Sequence, residues 1–167
     1  LDHFIEVMKQ VEKKSKNDNS TVSGISSINN IALISLEGSG MVGIPGFSKR
    51  LFEVLAAQKI NVILITQSSS EHSICVGIDA HNAKNARLAI DEAFAYEIDA
   101  KKVEPLQVEN GLAIIALVGD QMKNHTGISG RLFSALGKNG VNIRAISQGS
   151  SERNISAVLN KADINKA

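Results

Sequence analysis

Two glutamines, Gln67 and Gln148, carry the polar chemistry that first distinguishes this chain. Each follows a short apolar run typical of a strand, and each lies downstream of a helix that starts near Gly46 or Gly127. Backbone N–H groups at the start of a helix are unpaired and bind a carboxylate or a phosphate. A primary amide supplies both a donor and an acceptor, which suits a hydroxyl or an α-amino group. Together these groups predict a pocket for a small zwitterion.

These residues occur twice because the chain contains one module twice. Residues 32–77 align without a gap on residues 113–158 at a constant offset of 81, and 18 of the 46 positions are identical. Average composition would give roughly three identities by chance. In a single copy, glycines in tight turns and glutamines on the surface would be the simpler interpretation. The repetition of Gly, Arg, Asn, Gln, Ser and Glu favours a ligand.

Side chains for catalysis or metal binding do not assemble in the sequence. His72 and His125 have no partner at metal-ligand spacing, and the serines at 68–70 have no repeated histidine as a base. Cys75 lies in an apolar strand-like run, which is typical of a buried thiol. We therefore expect no catalytic residue, no metal site and no cofactor in this chain.

Two pairs of repeated charged residues have structural interpretations. Arg50 and Arg131 each lie one turn into an amphipathic helix, so we predict that they face solvent or an interface first and a ligand second. Glu71 and Glu152 follow serine-rich turns and are predicted to bond local backbone N–H groups.

The composition is that of a soluble globular protein. The 167 residues carry a net charge of +1, with 43% hydrophobic and 21% charged residues, so no strong field attracts nucleic acid or a membrane surface. No apolar stretch is long enough to span a bilayer and no signal peptide is visible, which predicts a cytoplasmic location. The chain begins with Leu1 and ends in what resembles an opening helix. We expect a fragment of a longer protein.

The residue pattern of the first module predicts the element order β-α-β-β-α-β. Its predicted strands cover residues 31–36, 61–66, 73–78 and 102–108, and its predicted helices cover 46–58 and 82–96. The uninterrupted apolar run at 61–66 favours a central strand, and we predict the same position for the equivalent residues 142–147 of the second module. Asn82 is predicted to cap the second helix, and Pro105 places the last strand at an edge.

The second module is complete only through β-α-β-β, at residues 112–117, 127–139, 142–147 and 154–159. The N-terminal part of the chain offers the missing pieces in the right order, an amphipathic helix at 1–14 and a strand at 21–25. We therefore predict that the first module is inserted into the second. The predicted domains are residues 1–20 as a helix and linker, 31–109 as the first module, and 21–30 plus 110–167 as the second.

The chain resembles the tandem ACT regulatory region of aspartokinases, and within them the bifunctional aspartokinase–homoserine dehydrogenases. The glycine-rich loop at 38–46 and the paired strings ITQSSSE at 65–71 and ISQGSSE at 146–152 carry the resemblance, which covers about 21–163. It implies an α+β fold of two ferredoxin-like βαββαβ modules, with antiparallel sheets side by side and helices on one face. It further implies a homo-oligomer, such as a dimer, and a kinase domain elsewhere in the polypeptide, with or without a homoserine dehydrogenase.

The resemblance also implies effector-binding residues at module interfaces. They are Met41, Gly46, Phe47, Asn61, Val62, Ile63 and Gln67 in the first copy, and Met122, Gly127, Ile128, Asn142, Ile143 and Gln148 in the second. The loop of the second copy departs from the pattern, because Gln121 and residues 123–126 (KNHT) replace Gly40 and residues 42–45 (VGIP). That bulkier loop makes the first copy the better candidate.

The resemblance implies a non-catalytic sensor of an end-product amino acid. The serine-rich string resembles the threonine-regulated branch, which makes threonine the expected effector. A lysine-sensing domain and a dimerisation module without a ligand are the alternatives. A small transfer enzyme is disfavoured because no pair of base and nucleophile is duplicated.

Overall fold

The computed structural model describes residues 21–67 and 72–167, which form two compact units. One unit consists of Asn30–Gly111, and we call it the inserted unit. The described part of the other consists of residues 21–29 and 112–167, and we call it the split unit. Since the inserted unit interrupts the sequence of the split unit, one module is inserted into the other. The predicted helix at 1–14 and the serine-rich turn at 68–71, with Glu71, lie outside the described residues.

The inserted unit has strands on which two amphipathic helices pack. Its elements are the second part of β1 (Gly24–Glu37), α1 (Phe47–Ala57), β2 (Val62–Gln67), β3 (Ser73–Asp79), α2 (Ala83–Ala93), the short α3 (Ala95–Asp99) and the first part of β4 (Gln107–Val118). The strand order is β2–β3–β1, and both pairs are antiparallel.

The core of the inserted unit explains why its helices form where they do. Leu51 and Leu55 on α1 and Ile90 on α2 recur at helical spacing and are at most 1% exposed. Phe94, which follows α2, is completely buried. Burial of each such side chain contributes about 1.5–3 kcal/mol. The helices thus gain their stability from the sheet face that they cover.

The split unit repeats this arrangement in part. Its elements are the second part of β4, then α4 (Ile128–Lys138), β5 (Ile143–Gln148) and β6 (Asn154–Asn160), followed by a 3-10 turn at Lys161–Asp163. The strand order is β5–β6–β4, again antiparallel. Ser23 N donates to Val118 O at 2.8 Å, just as Glu104 N donates to Glu37 O at 2.8 Å in the inserted unit. The first part of β1 therefore belongs to the split unit, and in the same way the first part of β4 belongs to the inserted unit.

Two pairs of predicted strands are wrong because each pair is one continuous strand. Residues 21–25 and 31–36 were expected as separate strands, as were 102–108 and 112–117, but β1 begins at Gly24 and continues to Glu37. β4 begins only at Gln107 and continues to Val118, so residues 102–106 of the predicted strand lie before it. Asn30 (φ 64°) and Gly111 (φ 76°) adopt left-handed backbone where each strand passes from one unit to the other. Both residue types tolerate this conformation, so the strands continue through the turn signals.

The prediction of central strands at 61–66 and 142–147 is also wrong. β2 and β5 are the end strands of the described order, and Ile65 and Ile146 are 48% and 43% exposed. An apolar run cannot by itself distinguish a strand buried on both faces from an edge strand with exposed isoleucines.

The predicted cap at Asn82 is wrong as well, since its side chain makes no capping bond to α2. Asp79 instead accepts from His81 N at 2.9 Å and caps the 3-10 turn before the helix. In the split unit, Asn160 accepts from Ala162 N at 2.9 Å in the same way. The α+β class and the two-module organisation are confirmed by the arrangement of elements.

Candidate functional site

A cavity of about 330 Å³ lies in the inserted unit, where the loop after β1 meets the start of α1 and the end of β2. The residues that line it are Met41, Gly43, Ile44, Pro45, Gly46, Phe47, Ser48, Gln67 and Ile74. None of the nine carries a charge, so the polar groups available to a ligand are backbone amides, the Ser48 hydroxyl and the Gln67 amide.

Gly46 shapes the mouth of this cavity at the start of α1. Its backbone is left-handed (φ 104°, ψ −9°), a conformation that costs glycine little and other residues more. Because the N-cap residue Gly46 has no side chain, it makes no capping bond, and among the described residues the first N–H groups of α1 suit an anion. This end of the helix therefore suits a carboxylate.

The other walls come from the sheet and from a short 3-10 turn. Met41 ends the turn at Ser39–Met41 and is 4% exposed. Ile74 on β3 is paired with Leu36 on one side and with Gln67 on the other. An apolar floor thus lies beside the amide of Gln67, which is a suitable setting for a small side chain that bears a hydroxyl.

Close packing against Lys102 fixes the glycine-rich loop. A Cβ added to Gly38 would lie 2.3 Å from Lys102 O, and one added to Gly40 would lie 2.5 Å from Lys102 Cβ. Gly40 N donates to Lys102 O at 2.9 Å. Glycine is needed at these two positions because a side chain would collide with Lys102, and not because the backbone has a positive φ.

Arg50 has a partner inside its own unit, a contact the sequence did not predict, while its side chain stays 42% exposed and so partly faces solvent as predicted. Its Nη1 donates to Glu97 Oε1 at 2.6 Å and its Nη2 donates to Glu97 Oε2 at 3.1 Å. The guanidinium also lies 4.2 Å from the centroid of the Phe94 ring. The hydrogen bonds to Glu97 raise the pKa of Arg50, and the same bonds from Arg50 lower the pKa of Glu97.

The equivalent region of the split unit is arranged differently. Gln148 Oε1 accepts from Ser129 Oγ at 3.3 Å, so the amide contacts its own module. Glu152 Oε2 accepts from Asn124 N at 2.6 Å, so Glu152 bonds a backbone N–H as predicted, but in the loop before α4 and not locally. Asp120 and Arg153 form an ion pair at 3.5 Å across the same loop and turn.

The structure brings together four of the seven predicted residues of the first copy. Met41, Gly46, Phe47 and Gln67 line one cavity. The other three, which are not among its lining residues, are Asn61, Val62 and Ile63. Val62 pairs with Ile78 and Gln67 pairs with Ile74, so the three lie at the opposite end of β2.

The six predicted residues of the second copy are more dispersed. Met122 is 2% exposed, and Gly127 precedes α4 with left-handed backbone (φ 85°). Ile128 lines an apolar cavity of about 400 Å³, and Ile143 packs against the core around Leu136. Asn142 and Gln148 are exposed.

Sequence reasoning missed three residues that support the cavity of the inserted unit. Phe94 lies on the apolar side of the predicted helix at 82–96, which marks it for the core, but only the structure shows that its ring stacks on that of Phe47 at 5.9 Å. Glu97 and Lys102 had no predicted role, because they contact α1 and the loop only through tertiary structure. Repetition could not reveal Phe94 or Glu97, since the aligned repeat ends before them.

Within residues 21–67 and 72–167, no group of three or more His, Cys, Asp or Glu side chains is placed to hold a metal ion. No helix in this described part has the length and apolar character needed to cross a membrane.

Comparison with known proteins agrees with the arrangement of two α+β modules. A family model described as ACT domain matches residues 34–94 and 115–167, one match in each unit. The chain belongs to the ACT domain family, as a tandem pair of modules of the kind found in the regulatory regions of aspartokinases. The resemblance seen in the sequence is thereby confirmed.

Three similar proteins place the chain within this group. It is 44% identical over 149 residues to the bifunctional aspartokinase/homoserine dehydrogenase of Haemophilus influenzae, a match that covers 88% of this chain and 18% of that protein. The aspartate kinase of Clostridium acetobutylicum superimposes with a TM-score of 0.76 at 25% identity, over 89% of this chain and 34% of that one. Aspartokinase III of E. coli, solved in complex with lysine and aspartate, gives 0.62 at 28% identity, over 84% and 30%. The chain thus spans about a fifth of the length of its curated relative.

Proposed function

We propose that this chain is a non-catalytic regulatory domain that binds threonine and mediates feedback inhibition of an aspartokinase in the same polypeptide. The cavity of the inserted unit carries the proposal, because it combines a free helix start, a glutamine amide and an apolar floor. Pockets for small ligands are typically concave and largely apolar, with a few convergent polar groups.

The proposed pose follows from the chemistry of the walls. The threonine carboxylate lies at the N-terminus of α1, near the amides that follow Gly46. The Gln67 amide bonds the ammonium or the hydroxyl, and the methyl group contacts Met41 and Ile74. Each polar group of the amino acid thereby receives a partner from the inserted unit.

The inserted unit is favoured over the split unit as the main site. Gln67 lines its cavity, whereas Gln148 already accepts a hydrogen bond from Ser129. A ligand in the split unit would have to displace that hydroxyl and also accommodate a loop held by Glu152.

Threonine is favoured over lysine by the charge of the lining. A bound lysine needs an acidic partner for its ε-ammonium when that group is removed from water. Among the described residues, none of the nine that line the cavity is Asp or Glu. The E. coli relative that was solved with lysine makes lysine the direct competitor in any test.

A second copy of the chain completes the proposed site. Asn61, Val62 and Ile63 lie at the end of β2 remote from the cavity, so they can reach its ligand only from another protomer. Such an interface would couple effector binding to quaternary structure, with a coupling free energy of about 1–3 kcal/mol. This arrangement requires a homodimer.

Isothermal titration calorimetry of this chain with threonine, lysine and methionine tests the proposal. We expect saturable binding of threonine and none of lysine at the same concentration. The Gln67→Ala variant should bind threonine about ten- to a hundredfold more weakly, since loss of a buried polar partner costs about 1–3 kcal/mol. Gln148→Ala is the matched control and should bind as the wild type does.

Three outcomes would contradict parts of this proposal. Binding of none of the three amino acids would leave a dimerisation module without a ligand. Tighter binding of lysine would identify a lysine sensor. Wild-type affinity in Gln67→Ala together with lost binding in Gln148→Ala would move the site to the split unit.

A further inference from the structure

We propose that the Arg50–Glu97 pair positions the effector cavity of the inserted unit, by holding the start of α1 and the glycine-rich loop against α3. The expected change in threonine affinity rests on the proposed function. The positioning of α1 and the loop by this pair does not. It assigns positioning roles to two residues that do not line the cavity.

The first connection runs from the pair to the helix wall of the cavity. Arg50 lies on α1, one turn after Phe47, which lines the cavity. The Phe47 ring stacks on Phe94 with an interplanar angle of 18°, and the Arg50 guanidinium lies over the same Phe94 ring. Arg50 also donates to the carbonyl of Ala93, at the last residue of α2. The bidentate bond to Glu97 therefore fixes the side of α1 that carries Phe47.

The second connection runs from Glu97 to the loop wall. The Glu97 carbonyl accepts from Lys102 N at 2.9 Å and from Val103 N at 3.3 Å. Lys102 O in turn accepts from Gly40 N, and Gly40 directly precedes the cavity residue Met41. The loop thus takes its position from the same residue that binds Arg50.

The geometry of the pair suits a positioning role. A bidentate arginine–carboxylate pair sets orientation as well as distance, because two parallel bonds fix the planes of both groups. The side chains are 42% exposed for Arg50 and 15% exposed for Glu97, so the carboxylate is largely enclosed. The pair Lys49–Glu53 on the same helix differs in each respect, with one contact at 3.5 Å and side chains 77% and 61% exposed.

The split unit provides an internal comparison. Arg131 occupies the position of Arg50, but it lines an apolar cavity of about 400 Å³ together with Ile128 and Leu132. In the inserted unit, the equivalent space beside Phe47 and Arg50 is occupied by Phe94 and Glu97. Among the described residues, therefore, only the inserted unit has an arginine–glutamate pair that connects the first helix of the module to its loop.

Amide hydrogen exchange of the ligand-free chain tests whether the Arg50–Glu97 pair holds the glycine-rich loop in position. In Glu97→Gln, exchange at Gly40 and Met41 should accelerate about three- to tenfold, since a charge-assisted bidentate bond is replaced by a weaker neutral one. Arg50→Lys should give a similar change because lysine cannot make the bidentate contact. Glu53→Gln removes the same charge from an exposed pair and should leave these amides within about twofold of wild type.

Binding and a charge swap complete the experiment. Threonine affinity in Glu97→Gln should fall about five- to twentyfold, while Glu53→Gln should retain wild-type affinity. The double variant Arg50→Glu with Glu97→Arg restores opposite charges and should recover part of both losses. Thermal melting identifies any variant that fails to fold. If the other variants fail, the exchange and affinity of Arg50→Lys, the mildest change, test the positioning role.

Failure of this inference is distinguishable from failure of the proposed function. Unchanged exchange at Gly40 and Met41 in folded Glu97→Gln and Arg50→Lys would overturn the positioning role, whether or not threonine binds. Accelerated exchange in a chain that binds no amino acid would uphold the positioning role and refute the proposed effector. Equal effects in Glu53→Gln would show a general response to charge and would also overturn the inference.

Discussion

The two units are built from one repeated sequence, yet among residues 21–67 and 72–167 only the inserted unit has a second helix beside the first. Leu106 in the inserted unit is 2% exposed, and its N–H donates to Asp91 Oδ1 on α2 at 2.7 Å. Ile25, at the same offset in the split unit, is 64% exposed. The described part of the split unit has no helix equivalent to α2 after β6. Both units have a buried core in their described residues, so what α2 and the residues after it add to the inserted unit is support for the start of α1 and for the cavity beside it.

Replacement of Phe94 by alanine should give the largest effect. Truncation of a fully buried phenylalanine typically lowers the free energy of unfolding by about 3–5 kcal/mol. We expect the inserted unit to lose protection first, with faster amide exchange in β3 than in β6. Leu88→Ala is a suitable control, because Leu88 on the same helix is 63% exposed. Equal loss of protection in β3 and β6 would mean that the two units unfold as one.

Gly38→Ala should have the next largest effect, since the added methyl would collide with the Lys102 backbone. Overpacking of this kind costs about 1–3 kcal/mol, measurable by urea denaturation. Gly130→Ala is the matched control in the split unit, where the new Cβ meets nothing within 4 Å. Because Gly130 lies inside α4, alanine there should raise stability by about 0.5–1 kcal/mol. A stabilising Gly38→Ala would show that the loop is free to move away from Lys102.

A smaller effect is expected in the loop of the split unit. Glu152→Gln weakens the bond to Asn124 N and should lower the free energy of unfolding by no more than about 1 kcal/mol, since the contact is exposed. Exchange at the Asn124 amide, measured by NMR, should accelerate while exchange at Gly40 stays unchanged. Acceleration at both amides would contradict independent loop anchoring in the two units.

The smallest effect concerns pH. The bonds from Arg50, with further contributions from the charges of Arg50 and Lys102, hold the pKa of Glu97 below its ordinary value of 4.5. The stability from this pair is therefore fully present above pH 4.5 and is lost as the pH falls through the lower pKa of the folded chain. In wild type, exchange at Gly40, corrected for intrinsic rates, should accelerate only in that acidic range. Glu97→Gln should remove this pH dependence. If exchange at Gly40 still accelerates at acidic pH in the variant, the dependence belongs to another titratable group.

The sequence by itself determined the module and much of its chemistry. The offset of 81 revealed two copies, and helical and strand periodicity located α1, α2, β3 and β6 to within a few residues. Of the four cavity residues from the first copy, Gly46 and Gln67 were marked by type and by repetition, whereas Met41 and Phe47 were named only through the resemblance to aspartokinase regulatory regions. These features are local or internally repeated, so a single sequence records them directly.

The tertiary structure alone decided the connections between distant segments. The continuation of β1 and β4 through Asn30 and Gly111 is a property of the folded chain, because the residues on the two sides of each position belong to different units. The contact of Arg50 with Glu97 joins residues 47 positions apart, and nothing in either local sequence specifies it. Periodicity fixes which face of an element is apolar, but which partner covers that face, and which charge lies beside it, follows only from how the elements pack.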